Sequence, residues 1–134
     1  MEITYRSDLA GVGPDHLVGF FEGWPDPPSP HTHLRILTGS AHVVLAWRDG
    51  RVIGFVTAVS DGVLSAYIPL LEVLPDERGR GVGAELLRRV LEALDDIYMV
   101  DLVCDPERAP FYERCGMQGA QAMIRRNYSR QSGD

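Results

Sequence analysis

IPLLEVLPDERGRGVGAELLRRVLEAL, residues 68–94, reads as a strand, a glycine-rich turn and an amphipathic helix. Residues 68–73 are an apolar run of strand length, and Pro75, with no N–H to donate to a ladder, stops it. From there the apolar residues fall at Val82, Leu86, Leu87, Val90, Leu91 and Leu94, one stripe of a helix with about 3.6 residues per turn. Glu85, Arg88, Arg89 and Glu92 take the opposite face. No Ser, Thr, Asp or Asn stands immediately before this helix to accept from its first N–H groups; the residues there are Arg78-Gly79-Arg80-Gly81-Val82-Gly83. Glycines let the backbone approach a ligand closely, the helix dipole favours negative charge, and two arginines flank the turn. A phosphate or pyrophosphate is the natural cap.

Upstream, residues 43–47 and 52–59 are β-rich runs separated by Arg48-Asp49-Gly50-Arg51, a strong hairpin signal, and Asp61-Gly62 repeats it. Residues 3–6 form a short first strand, and 14–21 have helical spacing at Leu17, Val18, Phe20 and Phe21. The prolines at 25, 27, 28 and 30 make a stiff loop, after which Ser29 caps a helix running to about Thr38 before Gly39. Downstream, a strand over 98–104 follows the helix. Asp105-Pro106 reads as a cap and first turn, ERAPFYERCG as a short helix stopped by Gly116, and 122–128 as holding a final strand. An antiparallel meander that leads into a central strand, then a helical crossover to a parallel strand, makes a mixed α/β sheet.

The 134 residues suit one domain, with 129–134 as a polar tail. No apolar run approaches the roughly 20 residues of a membrane span, and the N-terminus lacks the basic and apolar parts of a signal peptide, so the expected location is cytoplasmic and no membrane partner is expected. Cys104 and Cys115 have neither CxxC spacing nor clustered histidines; they read as core thiols, and no metal is expected. A formal charge of −6 argues against nucleic acid and for a cationic small molecule or peptide. His31 and His33 read as surface residues. Phe20, Phe21 and Trp24 either pack beneath the proline loop or shape a pocket for an acceptor.

Gly79-x-Gly81-x-x-Ala84 also satisfies the dinucleotide fingerprint, with Asp101 about 20 residues on. That motif belongs straight after a first strand, with more parallel strands to follow; here hairpin-linked strands precede it. A P-loop fails because no Gly-Lys-Ser or Gly-Lys-Thr closes the turn. Arg-x-x-Gly-x-Gly from Arg78 to Gly83, preceded by VLP and followed by a leucine-rich helix, resembles the acyl-CoA-binding motif of the GNAT superfamily of N-acetyltransferases. FYERCGM, residues 111–117, resembles the FYEKxGF signature that follows that family's fifth strand, and the order of elements agrees.

The resemblance implies a GNAT-like fold and transfer of an acetyl group from acetyl-CoA to the primary amine of a small molecule or peptide. It implies that the backbone of Arg78, Gly79, Arg80, Gly81, Val82, Gly83 and Ala84 holds the CoA pyrophosphate, with the Arg78 and Arg80 side chains free to meet phosphate. It implies a splay between the strand ending at Val73 and the one ending at Cys104, where Leu71 and Val73 offer backbone hydrogen bonds and the Val73 N–H polarises the thioester carbonyl. Asp105 stands where the family often has Asn, and helix capping is its expected role. Tyr112 occupies the position of the general acid, a phenol able to protonate the departing thiolate. For the base, the family often places a Glu earlier on the strand, where this chain has Tyr67-Ile68-Pro69. Glu72 is the nearest carboxylate, although alternation turns it from the face of Leu71 and Val73 unless a bulge intervenes. Glu22, in the proline loop with Trp24, and bulk water are the other candidates. The rival readings are a non-catalytic CoA-binding or regulatory domain and a dinucleotide oxidoreductase. The oligomeric state stays open, a homodimer included.

Overall fold

The hairpin signal around Asp49-Gly50 is realised as the centre of a five-stranded sheet. In a computed structural model describing residues 2–134, the strands run in sequence order: β1 (Thr4–Arg6), β2 (His42–Arg48), β3 (Arg51–Ser60), β4 (Ser65–Val73) and β5 (Met99–Asp101). The first four pair antiparallel, and β5 pairs parallel with β4. Every residue from Val52 to Ala58 is buried, as expected of a strand covered on both faces. The β3–β4 loop is fixed by Asp61, whose carboxylate accepts from the N–H groups of Val63, Leu64 and Ser65 at 2.8, 2.8 and 3.2 Å. These bonds hold its pKa at about 2.

One face of the sheet carries α2 (Val82–Ala93), which buries Val82, Leu86, Leu87 and Val90 against β2, β3 and β4. Gly54 permits the close approach, since a Cβ there would lie 3.1 Å from Leu86 and 3.3 Å from Val82. On the other face, α1 (Pro30–Gly39) and the segment before it pack on Phe55 through Phe20, Phe21 and His33. Ser29 caps α1 as expected, accepting from the Thr32 N–H at 3.2 Å.

Several expectations fail locally. Over 14–21 only a 3-10 turn forms, Pro14–Leu17; Gly19 and Phe21 take positive φ (101° and 64°) and break the helix, yet Leu17, Phe20 and Phe21 are buried. His33 is not a surface residue: it is 1% exposed, facing the three phenylalanines, whereas His31 is exposed. The predicted strand over 98–104 shortens to β5, because β4 turns away beyond Tyr67 and leaves 102–104 without a neighbour. The short helix divides into a 3-10 turn, Pro106–Arg108, and α3 (Ala109–Arg114); Asp105 precedes it, but its side chain makes no capping bond. The final strand within 122–128 does not form. That segment is exposed and, among the described residues, joins no ladder: the sheet ends at β1 and β5, and the chain pairs with neither edge. Residues beyond it fold back onto the proline loop: the Asp26 N–H donates to Gln131 Oε1 at 2.8 Å, and the Thr32 hydroxyl pairs with Asp134 at 3.2 Å.

Candidate active site

Gly81 takes φ 79°, and the left-handed turn it makes presents the start of α2 without any side-chain cap. The first helical bond runs from the Glu85 N–H to the Gly81 carbonyl at 3.1 Å. Among the described residues nothing accepts from the N–H groups of Val82, Gly83 and Ala84. A Cβ on Gly81 would meet no atom within 4 Å, so the space in front of these donors is open. Three convergent donors, the helix dipole and open space form an anion site, the fit a pyrophosphate requires.

Beneath the turn lies a residue that sequence reasoning missed. Glu77 is fully buried and is gripped by Arg48 through two bonds, Nε at 3.0 Å to one oxygen and an NH2 contact to the other. Arg51 and Arg80 stand at 3.5 and 3.6 Å. The Arg48 hydrogen bonds hold the Glu77 carboxyl below its ordinary range against the opposing effect of burial. The turn is thus pinned to the β2–β3 hairpin by an ion cluster whose partners lie 29 and 26 positions apart, a separation that no local pattern signals. The expected freedom of Arg78 and Arg80 is accordingly not observed. Arg80 leans on Glu77, while Arg78 donates from Nε to the Val73 carbonyl at 3.0 Å and faces Glu22 at 3.6 Å.

The cleft beside the turn arises from the sheet itself. β4 and β5 pair only from Ser65↔Met99 to Tyr67↔Asp101, then separate. The gap holds about 800 Å³, with residues 68–73 on one side and 102–105, Phe111 and Tyr112 on the other. The Leu74 N–H bonds to Ile53 in β3 at 2.8 Å, so by alternation Leu71 and Val73 direct their backbone groups away from β3, into the cleft. The splay is present, and both positions face the cleft, but the Val73 carbonyl already accepts from Arg78, which leaves its N–H.

A bulge does intervene on β4. Thr57 opposes Leu70 but Val59 opposes Tyr67, which leaves one extra residue around Ile68 and Pro69. Beyond it Glu72 pairs with Phe55, on the α1 face, and Leu71 with Val56, on the α2 face. Glu72 therefore points opposite to Leu71 and Val73, toward the proline loop. Its two oxygens accept the Phe21 N–H at 2.9 Å and the Glu22 N–H at 3.3 Å, which holds Phe21 in its left-handed conformation. Glu22 and Trp24 line the same cleft, and Trp24 packs edge-on to Phe21 at 5.0 Å. Behind them His33 makes no hydrogen bond with either ring nitrogen, and burial lowers its pKa to about 4.

Tyr112 is half-buried on the far wall, edge-on to Phe111 at 5.0 Å. Burial raises its pKa, with Cys104 and Cys115 adding to the effect and Arg108 opposing it, so the phenol keeps its proton. The two cysteines are half-buried free thiols; Cys115 packs against the core, whereas Cys104 lines the cleft. Arg108, from the 3-10 turn before α3, and Ile124 and Arg126, from the last segment, also line it, and sequence reasoning does not foresee them. Among the described residues no cluster of His, Cys, Asp and Glu is arranged to hold a metal, and no helix is long and apolar enough to cross a membrane.

Comparison with known proteins agrees with this geometry. The model of the acetyltransferase (GNAT) family matches residues 10–117. A probable glucosamine 6-phosphate N-acetyltransferase 2 of Oryza sativa subsp. japonica is 33% identical over 122 residues, 88% of this chain. The chain spans 64% of that relative's length. It spans 32% of the chloroplastic GCN5-related N-acetyltransferase 3 of Arabidopsis thaliana, 36% identical over 76 residues or 55% of this chain. The crystal structure of an acetyltransferase candidate from Deinococcus radiodurans R1 superposes with a TM-score of 0.94 at 56% identity, covering 97% of this chain and 92% of that one. The glucosamine-6-phosphate N-acetyltransferase structure from Arabidopsis thaliana, at 15% identity, TM-score 0.69 and coverage of 95% and 99%, shares the fold.

Proposed function

The chain belongs to the acetyltransferase (GNAT) family, and from that premise we propose that it transfers the acetyl group of acetyl-CoA to the primary amine of a small molecule. The observation that carries the reading is the set of N–H groups at Val82, Gly83 and Ala84, which have no acceptor and open onto a cleft whose wall is the free backbone edge of β4. Acetyl-CoA supplies an activated thioester. The N–H groups of the turn bind its phosphates, and Leu71 and Val73 hold the amide-bearing arm as an added strand. The Val73 N–H meets the thioester carbonyl, where a fixed dipole stabilises developing negative charge.

An amine acceptor arrives as ammonium and must lose a proton before it attacks. Glu72 takes that proton on this reading. It stands on the loop side of the cleft, it is held in place by the Phe21 and Glu22 N–H groups, and a carboxylate keeps further lone pairs beyond those two bonds. Glu22 is the alternate, although its pairing with Arg78 draws it toward the turn. Tyr112, kept protonated by burial, returns a proton to the leaving thiolate.

The acceptor carries a phosphate or similar anion in addition to its amine. Arg108 and Arg126 border the cleft, and neither has an ion-pair partner among the described residues. The rice relative's name, a glucosamine 6-phosphate acetyltransferase, is consistent with such a substrate. Thiol release from acetyl-CoA tests the reading against matched amines: glucosamine 6-phosphate, glucosamine, polyamines and amino acids. Turnover with the phosphorylated amine well above its neutral counterpart is expected. Tight acetyl-CoA binding without turnover on any amine would instead favour a regulatory binding domain.

A further inference from the structure

Arg78 belongs to the phosphate turn and Glu22 to the proline loop, and the two side chains meet at the cleft that both line. The Arg78 Nε donates to the Val73 carbonyl at 3.0 Å, and its Nη1 lies 3.6 Å from Glu22 Oε1. Both backbones are fixed. The Arg78 N–H donates to the Pro75 carbonyl at 3.4 Å and the Glu22 N–H to Glu72 Oε2 at 3.3 Å, so the strap between turn and loop is made of side chains alone.

The strap occupies groups that both ligands need. The Val73 carbonyl lies on the stretch of β4 that borders the cleft, where the amide-bearing arm of acetyl-CoA is to bond. A Cβ on Gly83 would lie 3.8 Å from the Val73 side chain, so the anchor of the guanidinium stands next to a free N–H group of the phosphate site. The side chains of Arg78 and Glu22 are 45% and 51% exposed, and an ion pair so open to water is weak. Phosphate offers the same guanidinium more charge and a bidentate partner. Once phosphate takes Arg78, the loop side keeps two carboxylates, Glu22 and Glu72, and among the described residues no other cation lies within ion-pair distance of either. An ammonium group restores what the guanidinium supplied.

We propose that Glu22 is the group that receives the acceptor's ammonium, and that Arg78 masks it until the phosphates of acetyl-CoA draw the guanidinium away. The proposal rests on the acyl-transfer reading and adds to it a residue that selects a cationic acceptor and a coupling between the two binding events. Glu22 anchors the charge and Glu72, bonded to the Glu22 N–H, takes the proton, so the two carboxylates have separate tasks. The coupling is reciprocal: an ammonium that holds Glu22 also frees Arg78 for phosphate.

Calorimetry with acetyl-CoA and the full chain tests the strap without any acceptor. Glu22→Gln keeps the size of a half-exposed side chain and removes its charge, so the fold is not at stake. Acetyl-CoA binding should tighten by about two- to fivefold, and in an Arg78→Ala background the gain should shrink to near unity, because no strap remains to be broken. No gain in the wild-type background, or an equal gain in both, which is simple repulsion between Glu22 and phosphate, would overturn the strap. Initial rates then test the ammonium site, with the amine turned over fastest among glucosamine 6-phosphate, glucosamine, polyamines and amino acids. Glu22→Gln should raise the KM for that amine by at least about tenfold while kcat falls by less than about threefold, the split of a group that binds without reacting. An unchanged KM, or a loss in kcat as large as the rise in KM, would overturn the anchor. Failure of the wild-type chain to bind acetyl-CoA or to turn over any of these amines would overturn the acyl-transfer reading and this proposal with it, whereas each of the other adverse results would overturn this proposal and leave that reading standing.

Discussion

The start of α2 and the proline loop face each other across one cleft and are built by different means. At the turn, a few adjacent residues do the work: glycine at a left-handed position, free N–H groups and a helix whose apolar stripe locks it to the sheet. The loop has no secondary structure of its own and is held by Glu72, which lies 51 and 50 positions from the N–H groups it accepts, and by rings packed around His33. A site for a cosubstrate common to many enzymes can be encoded locally. The acceptor side, which must differ from enzyme to enzyme, is assembled from distant parts.

The sharpest probe of that division is Tyr112→Phe, which removes only a hydroxyl from the wall between the two regions. Single-turnover transfer should fall by about 10²- to 10⁴-fold while acetyl-CoA affinity, set by the turn, barely moves. A rate equal to wild type on the best amine would remove Tyr112 from the chemistry.

On the loop side, His33 predicts an acid limb. Its folded pKa of about 4 lies below the ordinary 6.5, so protons bind the unfolded chain first. This stability is complete above pH 6.5 and declines as pH falls toward 4, by about 3 kcal/mol in all. Urea titrations of His33→Leu should lack that decline, and an unchanged limb would mean that the ring protonates without cost. Asp61 and Glu77 act lower: both carboxyl groups are held below their ordinary range, so each contributes stability that is present above that range and is lost as pH falls through it, for Asp61 toward about 2.

On the turn side, Gly81→Val introduces a branched side chain at φ 79° into the space before the free N–H groups. Calorimetry should show acetyl-CoA affinity down by about tenfold to a hundredfold in a folded protein. Undiminished binding would dissociate the turn from the phosphates. The smallest effect is expected for Arg78→Ala, a few-fold weakening with a shallower salt dependence, because this side chain is already committed to the Val73 carbonyl and Glu22.

This contrast also explains what could be read in advance. The meander, the crossover helix and the glycine turn follow from periodicity and turn residues, which act over a few positions. Glu72 stands out as an acid in an apolar run, and alternation gives its direction, opposite to Leu71 and Val73, because the bulge at Ile68 and Pro69 precedes all three; its partners, the N–H groups of Phe21 and Glu22, leave no local trace. His33 reads as a surface residue because its polarity suggests solvent, while its surroundings are three phenylalanines brought together from β3 and a loop. Glu77 left no local trace. Composition suggests a final strand, yet a strand needs a neighbour as well as a sequence, and among the described residues this segment pairs with neither edge of the sheet.

The fully buried run of β3 has a kinetic corollary. Its amides can exchange with deuterium only when the sheet itself opens, so they report global unfolding, whereas the amides of 118–127, which have no acceptor among the described residues, should exchange at nearly the rate of a free peptide. The cleft lies between these extremes, along the half of β4 that is bonded on one side only. Labelling times should therefore rank Val56, then Leu71, then Met123. A ligand that bonds to the free edge of β4 would slow Leu71 and Val73 while leaving the amides of β3 as they were.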